Sequence, residues 1–242
     1  MTKTIRLAAV DVPRVGLGTN RLTPDNVDFI RDAVAAGVRH IDTAHLYTGG
    51  DSERAIGEAL GGDADVLVAT KGGYGGAGQG RPEVLRAQIE QSLRSLRTDA
   101  IALYYLHQVD PETPIEESLG TIKEYVDRGA IRHVGVSNVT VEQLERARAV
   151  VPIAAVQNRY NLAERDDDGT IDVCERAGIA YVPYYPLRGG GPEIAAEAAR
   201  LGVSENAVKL ARLLRRSPAV LPIPGTRSLE HLRENLAALD LL

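Results

Sequence analysis

Four side chains carry the clearest chemical signal in this sequence: Asp42, Tyr47, Lys71 and His107. Three of them end short apolar runs, Val38–Asp42, Val66–Lys71 and Ile101–His107, and Tyr47 lies in the turn after the first. A lysine that ends an apolar run is costly to bury without an anion, and Asp42 at the neighbouring run is placed to pair with it. An ammonium beside a phenol favours the phenolate, so Lys71 is expected to lower the Tyr47 pKa and make Tyr47 a proton donor at neutral pH. His107 would add a hydrogen bond to a substrate oxygen. None of the four is a strong nucleophile with its own base, and the carboxylates do not form the pair that glycoside hydrolysis needs. Singly, each has a plain structural reading as a salt bridge, a satisfied polar residue or a loop tyrosine. Together, at three adjacent strand ends, they read as a site.

Such convergence requires parallel strands whose carboxyl ends share one face. Eight short apolar runs alternate with helical periods along the chain: Val15–Gly18, Val38–Asp42, Val66–Lys71, Ile101–His107, Ile131–Val136, Ile153–Gln157, Ile179–Tyr184 and Ala219–Pro224. Several are apolar nearly throughout, as strands buried on both faces are. Helix starts are signalled by Thr23-Pro24-Asp25, Ser52, Arg81-Pro82-Glu83, Thr113-Pro114, the capping box Thr140 to Gln143, and Ser228. The sixth helix is expected over Glu164 to Ala177, and the seventh as a pair split near Gly202-Val203-Ser204. The architecture expected is a single (β/α)8 barrel over residues 1–242, because an open sheet of eight strands would expose two edges. A short hairpin over Ile5 to Val12, turning near Ala8-Ala9, precedes it. The glycine-rich stretch Gly72 to Gly80 opens no helix at its first glycines, so it reads as a flexible loop rather than a dinucleotide fingerprint.

Further motifs follow in order: Gly16-Leu17-Gly18-Thr19, Ile41-Asp42-Thr43-Ala44, Thr70-Lys71, the stretch Gly129 to Asn138, Gln157-Asn158-Arg159-Tyr160-Asn161, and Ile223-Pro224-Gly225-Thr226. With them the chain resembles the aldo-keto reductases, and Val156 to Leu162 with the short loops resembles bacterial members of the pyridoxal reductase type. The resemblance implies NAD(P)H-dependent interconversion of a carbonyl and an alcohol, with Tyr47 as general acid, Lys71 and Asp42 tuning it, and His107 orienting the carbonyl. It places the carboxamide of the cofactor on Ser137, Asn138 and Gln157, and the nicotinamide ring on Tyr184. Gly18, Thr19, Asp42, Pro186 and Leu187 would complete that groove. The diphosphate would lie over Ile223, Pro224, Gly225 and Thr226, where glycine allows close approach and a helix offers its amino terminus. Arg227 would take the 2′-phosphate of NADPH, and Glu234 and Asn235 would hold the adenine. His231 stands where many relatives carry arginine; NADPH is nevertheless favoured over NADH. Asn20 replaces a tryptophan of many relatives, and the substrate pocket is assigned to Asn20, Tyr47, Tyr74 and His107. Short loops after His107 and Leu187 imply an open, shallow pocket and fast cofactor exchange.

Composition bounds the rest. The chain has 242 residues, 44% hydrophobic and 25% charged, with a formal net charge of −5. That balance argues against nucleic acid or an anionic membrane as partner. No apolar run reaches the roughly 18 residues of a membrane span, and Met1 to Leu7 lacks a secretory apolar stretch, so a cytoplasmic protein is expected, monomeric or weakly oligomeric. The lone Cys174 reads as a small buried residue, and the five histidines are too scattered to ligate a metal. Two other functions remain open: a Schiff-base lyase using Lys71, and a noncatalytic nicotinamide-binding barrel that regulates a partner.

Overall fold

The computed structural model describes residues 2–61, 63 and 65–242. Strands β1 (Thr4–Leu7) and β2 (Val10–Pro13) form the expected hairpin, with Ile5 opposite Val12. Its two turn residues, Ala8 and Ala9, hold φ of 47° and 65°, the left-handed pair that matches the twist of a tight hairpin. Leu7, Ala8 and Val12 pack against Leu67, Leu103, Ala180 and Leu221, so the hairpin caps the amino-terminal end of the barrel interior.

Seven parallel strands pair in chain order: β3 (Leu17–Gly18), β4 (His40–Asp42), β5 (Leu67–Gly72), β6 (Ile101–Leu106), β7 (Ile131–Ser137), β8 (Ile153–Gln157) and β9 (Ala180–Tyr181). The eighth run, expected as a strand over Ala219–Pro224, closes the barrel by single bridges, Val220 to Tyr181 and Gly225 to Gly18. Leu221 donates to the Tyr181 carbonyl at 2.8 Å, and the carbonyls of Pro222 and Pro224 accept from Gly16 and Gly18. Both prolines lack the N–H that a ladder towards β3 requires, so this edge is joined by one-way bonds only. On β6, Leu103 and Tyr105 face the barrel interior while Tyr104 and Leu106 face the surrounding helices, which explains the unbroken apolar run.

The helices are α1 (Val27–Ala35), α2 (Asp51–Leu60), α3 (Pro82–Leu96), α4 (Ile115–Asp127), α5 (Val141–Val150), α6 (Asp168–Ala177), α7 (Pro192–Leu201), α8 (Glu205–Leu214) and α9 (Leu229–Leu236). The α5 capping box forms as read, with the Thr140 hydroxyl accepting from the Gln143 amide and the Gln143 side chain accepting in return. Helix α6 starts four residues later than expected, because Asn161 Oδ1 takes the amides of Ala163 and Glu164 in a local turn.

The glycine-rich loop is not free. The Asp110 carboxylate accepts from the amides of Gly78 and Gly80 at 3.1 and 2.7 Å, and Gln88 Oε1 accepts from Gly73 at 2.7 Å. A residue without sequence signal secures the opposite end: Arg14, fully buried, donates to the carbonyls of Thr2, Leu214, Ser217 and Val220.

Candidate active site

Register brings the four residues together. Asp42 closes β4 and Lys71 lies near the end of β5, on the adjoining strand. Lys71 Nζ donates to Asp42 Oδ1 at 2.5 Å and to the Thr43 carbonyl at 2.6 Å, with both charged side chains at most 2% exposed. From across the barrel, Gln157 Nε2 donates to the other Asp42 oxygen at 2.7 Å. Burial works to lower the Lys71 pKa, but Asp42, and after it Tyr47, outweigh burial and hold the ammonium charged.

The lysine nitrogen lies 5.1 Å from the Tyr47 ring centroid. Here the sequence expectation needs correction: the Tyr47 pKa is raised, not lowered. Burial of the phenol disfavours the phenolate more than Lys71 favours it. Tyr47 therefore keeps its proton at neutral pH. His107 stands edge-on to Tyr47 at 6.0 Å between ring centroids and packs against Tyr74 at 4.7 Å, the rings tilted by 39°. Burial, then the charge of Lys71, pushes its pKa down to about 2, so the imidazole is neutral, and its Nδ1 is buried without a partner.

A cavity of about 820 Å³ opens above this floor. Of the residues anticipated, Gly18, Thr19, Asn20, Asp42, Tyr47, Tyr74, His107, Asn138, Gln157 and Tyr184 line it, as do Pro186, Leu187 and the run from Ile223 to Arg227. Lys71 and Ser137 sit beneath that lining, fully or nearly fully buried. The Ser137 hydroxyl is committed to the Gln157 carbonyl at 2.6 Å. Asn138, in the left-handed region at φ 57°, bonds the His107 carbonyl through Nδ2 and receives the Tyr184 hydroxyl on Oδ1 at 2.7 Å. His231, Glu234 and Asn235, expected around an adenine, lie along α9 outside the cavity lining, and Asn235 is buried at 1% exposure.

Sequence reasoning named Arg227 and missed three further cations. Arg21, Arg159 and Arg188 line the cavity together with Arg227; Arg159 is paired with Glu164 at 3.0 Å, and among the described residues the one carboxylate lining the cavity, Asp42, is spent on Lys71. Arg159 had a usable signal, since two residues beyond Gln157 is the same strand face. Arg188 had none, because the loop after β9 sets its position; it and Arg159 lie 4.9 and 5.4 Å from the Tyr185 ring. Gly18 brings backbone to the cavity wall: a Cβ there would meet the Ile223 carbonyl at 2.7 Å. Just past Arg227, the Ser228 hydroxyl caps α9.

Comparison with known proteins adds independent findings. The aldo/keto reductase family model matches residues 14–193. Pyridoxine 4-dehydrogenase of Escherichia coli (strain K12) is 37% identical across 98% of this chain and 93% of its own length. A crystal structure of a thermostable aldo-keto reductase, Tm1743, in complex with the inhibitor epalrestat superposes with a TM-score of 0.89 at 32% identity, covering 99% of this chain and 94% of that one. An aldo/keto reductase from Klebsiella pneumoniae, solved with NADP and acetate, gives 0.89 at 29% identity, covering 99% and 90%.

Proposed function

The chain belongs to the aldo/keto reductase family, and from that premise we propose that it reduces an aldehyde or ketone to an alcohol with NADPH, Tyr47 supplying the proton. The observation that carries the reading is a buried ammonium, fixed by Asp42, directly below a protonated phenol and a neutral imidazole at a cavity floor.

The residues present fit the cofactor. The bare Cα of Gly18, the Ile223 to Arg227 segment and the start of α9 make a backbone cradle for a diphosphate. Arg21, Arg188 and Arg227 bring positive charge that no lining carboxylate cancels, which suits NADPH better than NADH. A structural relative was solved with NADP. When bound, the cofactor supplies hydride. The chain does the rest: Tyr47 delivers its proton to the carbonyl oxygen, and Lys71 stabilises the phenolate left behind. Asp42 and Gln157 hold Lys71 in place, and His107 offers a neutral ring N–H to the same oxygen. The Schiff-base alternative needs a neutral, approachable amine, and Lys71 is charged, fully buried and doubly bonded. A purely binding barrel has no use for an ammonium buried under a phenol.

Similarity to pyridoxine 4-dehydrogenase makes pyridoxal the first substrate to try. The test is absorbance loss at the nicotinamide band, with NADPH and separately NADH, over a panel of aldehydes that includes pyridoxal. NADPH oxidation that requires an aldehyde is expected. Binding of NADPH with no turnover on any carbonyl would sink the proposal.

A further inference from the structure

Behind the site, on the outer side of the barrel wall, lies a carboxyl group that the reaction does not use. Glu53, in the first turn of α2, is 0% exposed. Its Oε1 accepts the Thr70 hydroxyl at 2.5 Å, while Oε2 has no hydrogen-bond partner. The neighbouring cation makes no hydrogen bond to it: Lys71, next to Thr70 on β5, turns to the other face, bonds Asp42 and Thr43, and reaches Glu53 by its charge alone. An ionised carboxylate so placed would be a buried charge with one hydrogen bond and no ion pair. Around it stand two hydroxyl oxygens that are also buried without partners, Ser92 of α3 and Tyr104 of β6. The groups that act on Glu53 are thus Thr70 and the charge of Lys71 on β5, Ser92 on α3 and Tyr104 on β6. Gly57, one turn further on the same face of α2, seals the position; a Cβ there would meet the Ser95 carbonyl of α3 at 2.2 Å.

Its neighbour Ser52 bonds Thr43 at the end of β4, and Thr19 just past β3 through both its carbonyl and its hydroxyl. Ser52 and Glu53 therefore join the first turn of α2 to three consecutive strands. The segment Tyr47–Gly50 runs directly into that turn, with Thr48, Gly49 and Gly50 all at positive φ.

We propose that Glu53 is a neutral, protonated carboxylic acid that, with Ser52, positions the Tyr47 turn against the strands bearing Asp42 and Lys71. Burial also raises its pKa, outweighing the Thr70 hydroxyl, the nearby Ser92 hydroxyl and the charge of Lys71, which pull the other way. The positioning role rests on the assignment of Tyr47 as proton donor; the protonation state does not.

Glu53→Gln keeps one acceptor and one donor in the shape of the protonated acid, so it retains turnover within about twofold. Glu53→Ala removes both and lowers kcat about tenfold or more, with KM for NADPH unchanged, because the phenol slips while the cofactor groove stays. Two readouts need no turnover. Infrared difference spectra of wild type against Glu53→Gln show a protonated carboxyl stretch at pH 7. The folded acid keeps a proton that the unfolded chain releases above about pH 4.3, so wild-type stability falls as pH rises through the raised pKa, and the Tm of Glu53→Gln gains on wild type from pH 5 to pH 8. An ionised carboxyl in the spectrum, a Tm difference independent of pH, or a folded Glu53→Gln as impaired as Glu53→Ala would overturn the proposal. If Glu53→Ala does not fold, the spectra and melting comparison decide alone.

Discussion

A phenol and an imidazole divide the work at this site because burial treats them differently. It raises the Tyr47 pKa and keeps the proton on; it lowers that of His107 and keeps the proton off. One group is a proton source and the other a neutral hydrogen-bonding partner. Since the His107 pKa is held to about 2, its ionisation leaves no mark on kcat between pH 5 and 8. A pH profile with a limb near 6.5 that vanishes in His107→Gln would contradict this. The same burial favours the unfolded chain in acid: the stability contribution of neutral His107 is present above about pH 6.5 and is lost as pH falls below it. Arg227, lining the cavity beside the α9 cap, is argued to read the 2′-phosphate. Arg227→Ala should raise KM for NADPH about tenfold, the worth of one charge-assisted bond, and leave KM for NADH unchanged. Equal effects on both cofactors would remove that role.

Loops decide the shape of the cavity, and here the least structured-looking stretch is among the most constrained. Asp110 takes two amides of the glycine loop, the Glu112 amide and the Thr113 hydroxyl, and so holds the loop that presents Tyr74 against His107. Asp110→Ala leaves those donors unpaired at a cost of about 2 kcal/mol. Exchange at the Gly78 and Gly80 amides should accelerate, and KM for the carbonyl should rise with KM for NADPH unchanged. Unaltered protection of both amides would show that the glycines hold the loop without Asp110. Much of this level was legible in advance. Caps at Thr140 and Ser228 fall where their spacing puts them, and the expected split near Ser204 falls between α7 and α8. Strand residues were legible because hydrophobic pattern fixes which face is buried. The loop anchors were not: Asp110 lies 30 residues from Gly80 and carries no local signature.

The barrel as a whole separates chemistry from stability by its two ends. Residues at the carboxyl ends of strands were found from sequence because the fold forces them to converge: Asp42, Tyr47, Lys71 and His107 meet as expected. Arg21, Arg159 and Arg188 of the cavity and Arg14 at the far end were not, since a guanidinium looks the same in sequence whether it faces water or a ring of carbonyls. Arg14 links the hairpin, α8 and the proline-bearing closure of the barrel. Arg14→Lys strands several of those carbonyls and should lower stability by about 3 kcal/mol in urea unfolding. Because this end is remote from the cavity, the folded fraction should keep its kcat. A stable variant with reduced kcat would mean that the two ends are coupled.

The most direct measurement compares wild type with Tyr47→Phe, following NADPH binding by fluorescence titration and carbonyl-dependent NADPH oxidation in the same preparations. The expected result is undiminished binding with turnover reduced at least about a hundredfold, because only the transferable proton has been removed. Turnover equal to wild type would contradict the assignment of Tyr47 and, with it, the chemistry argued for this site.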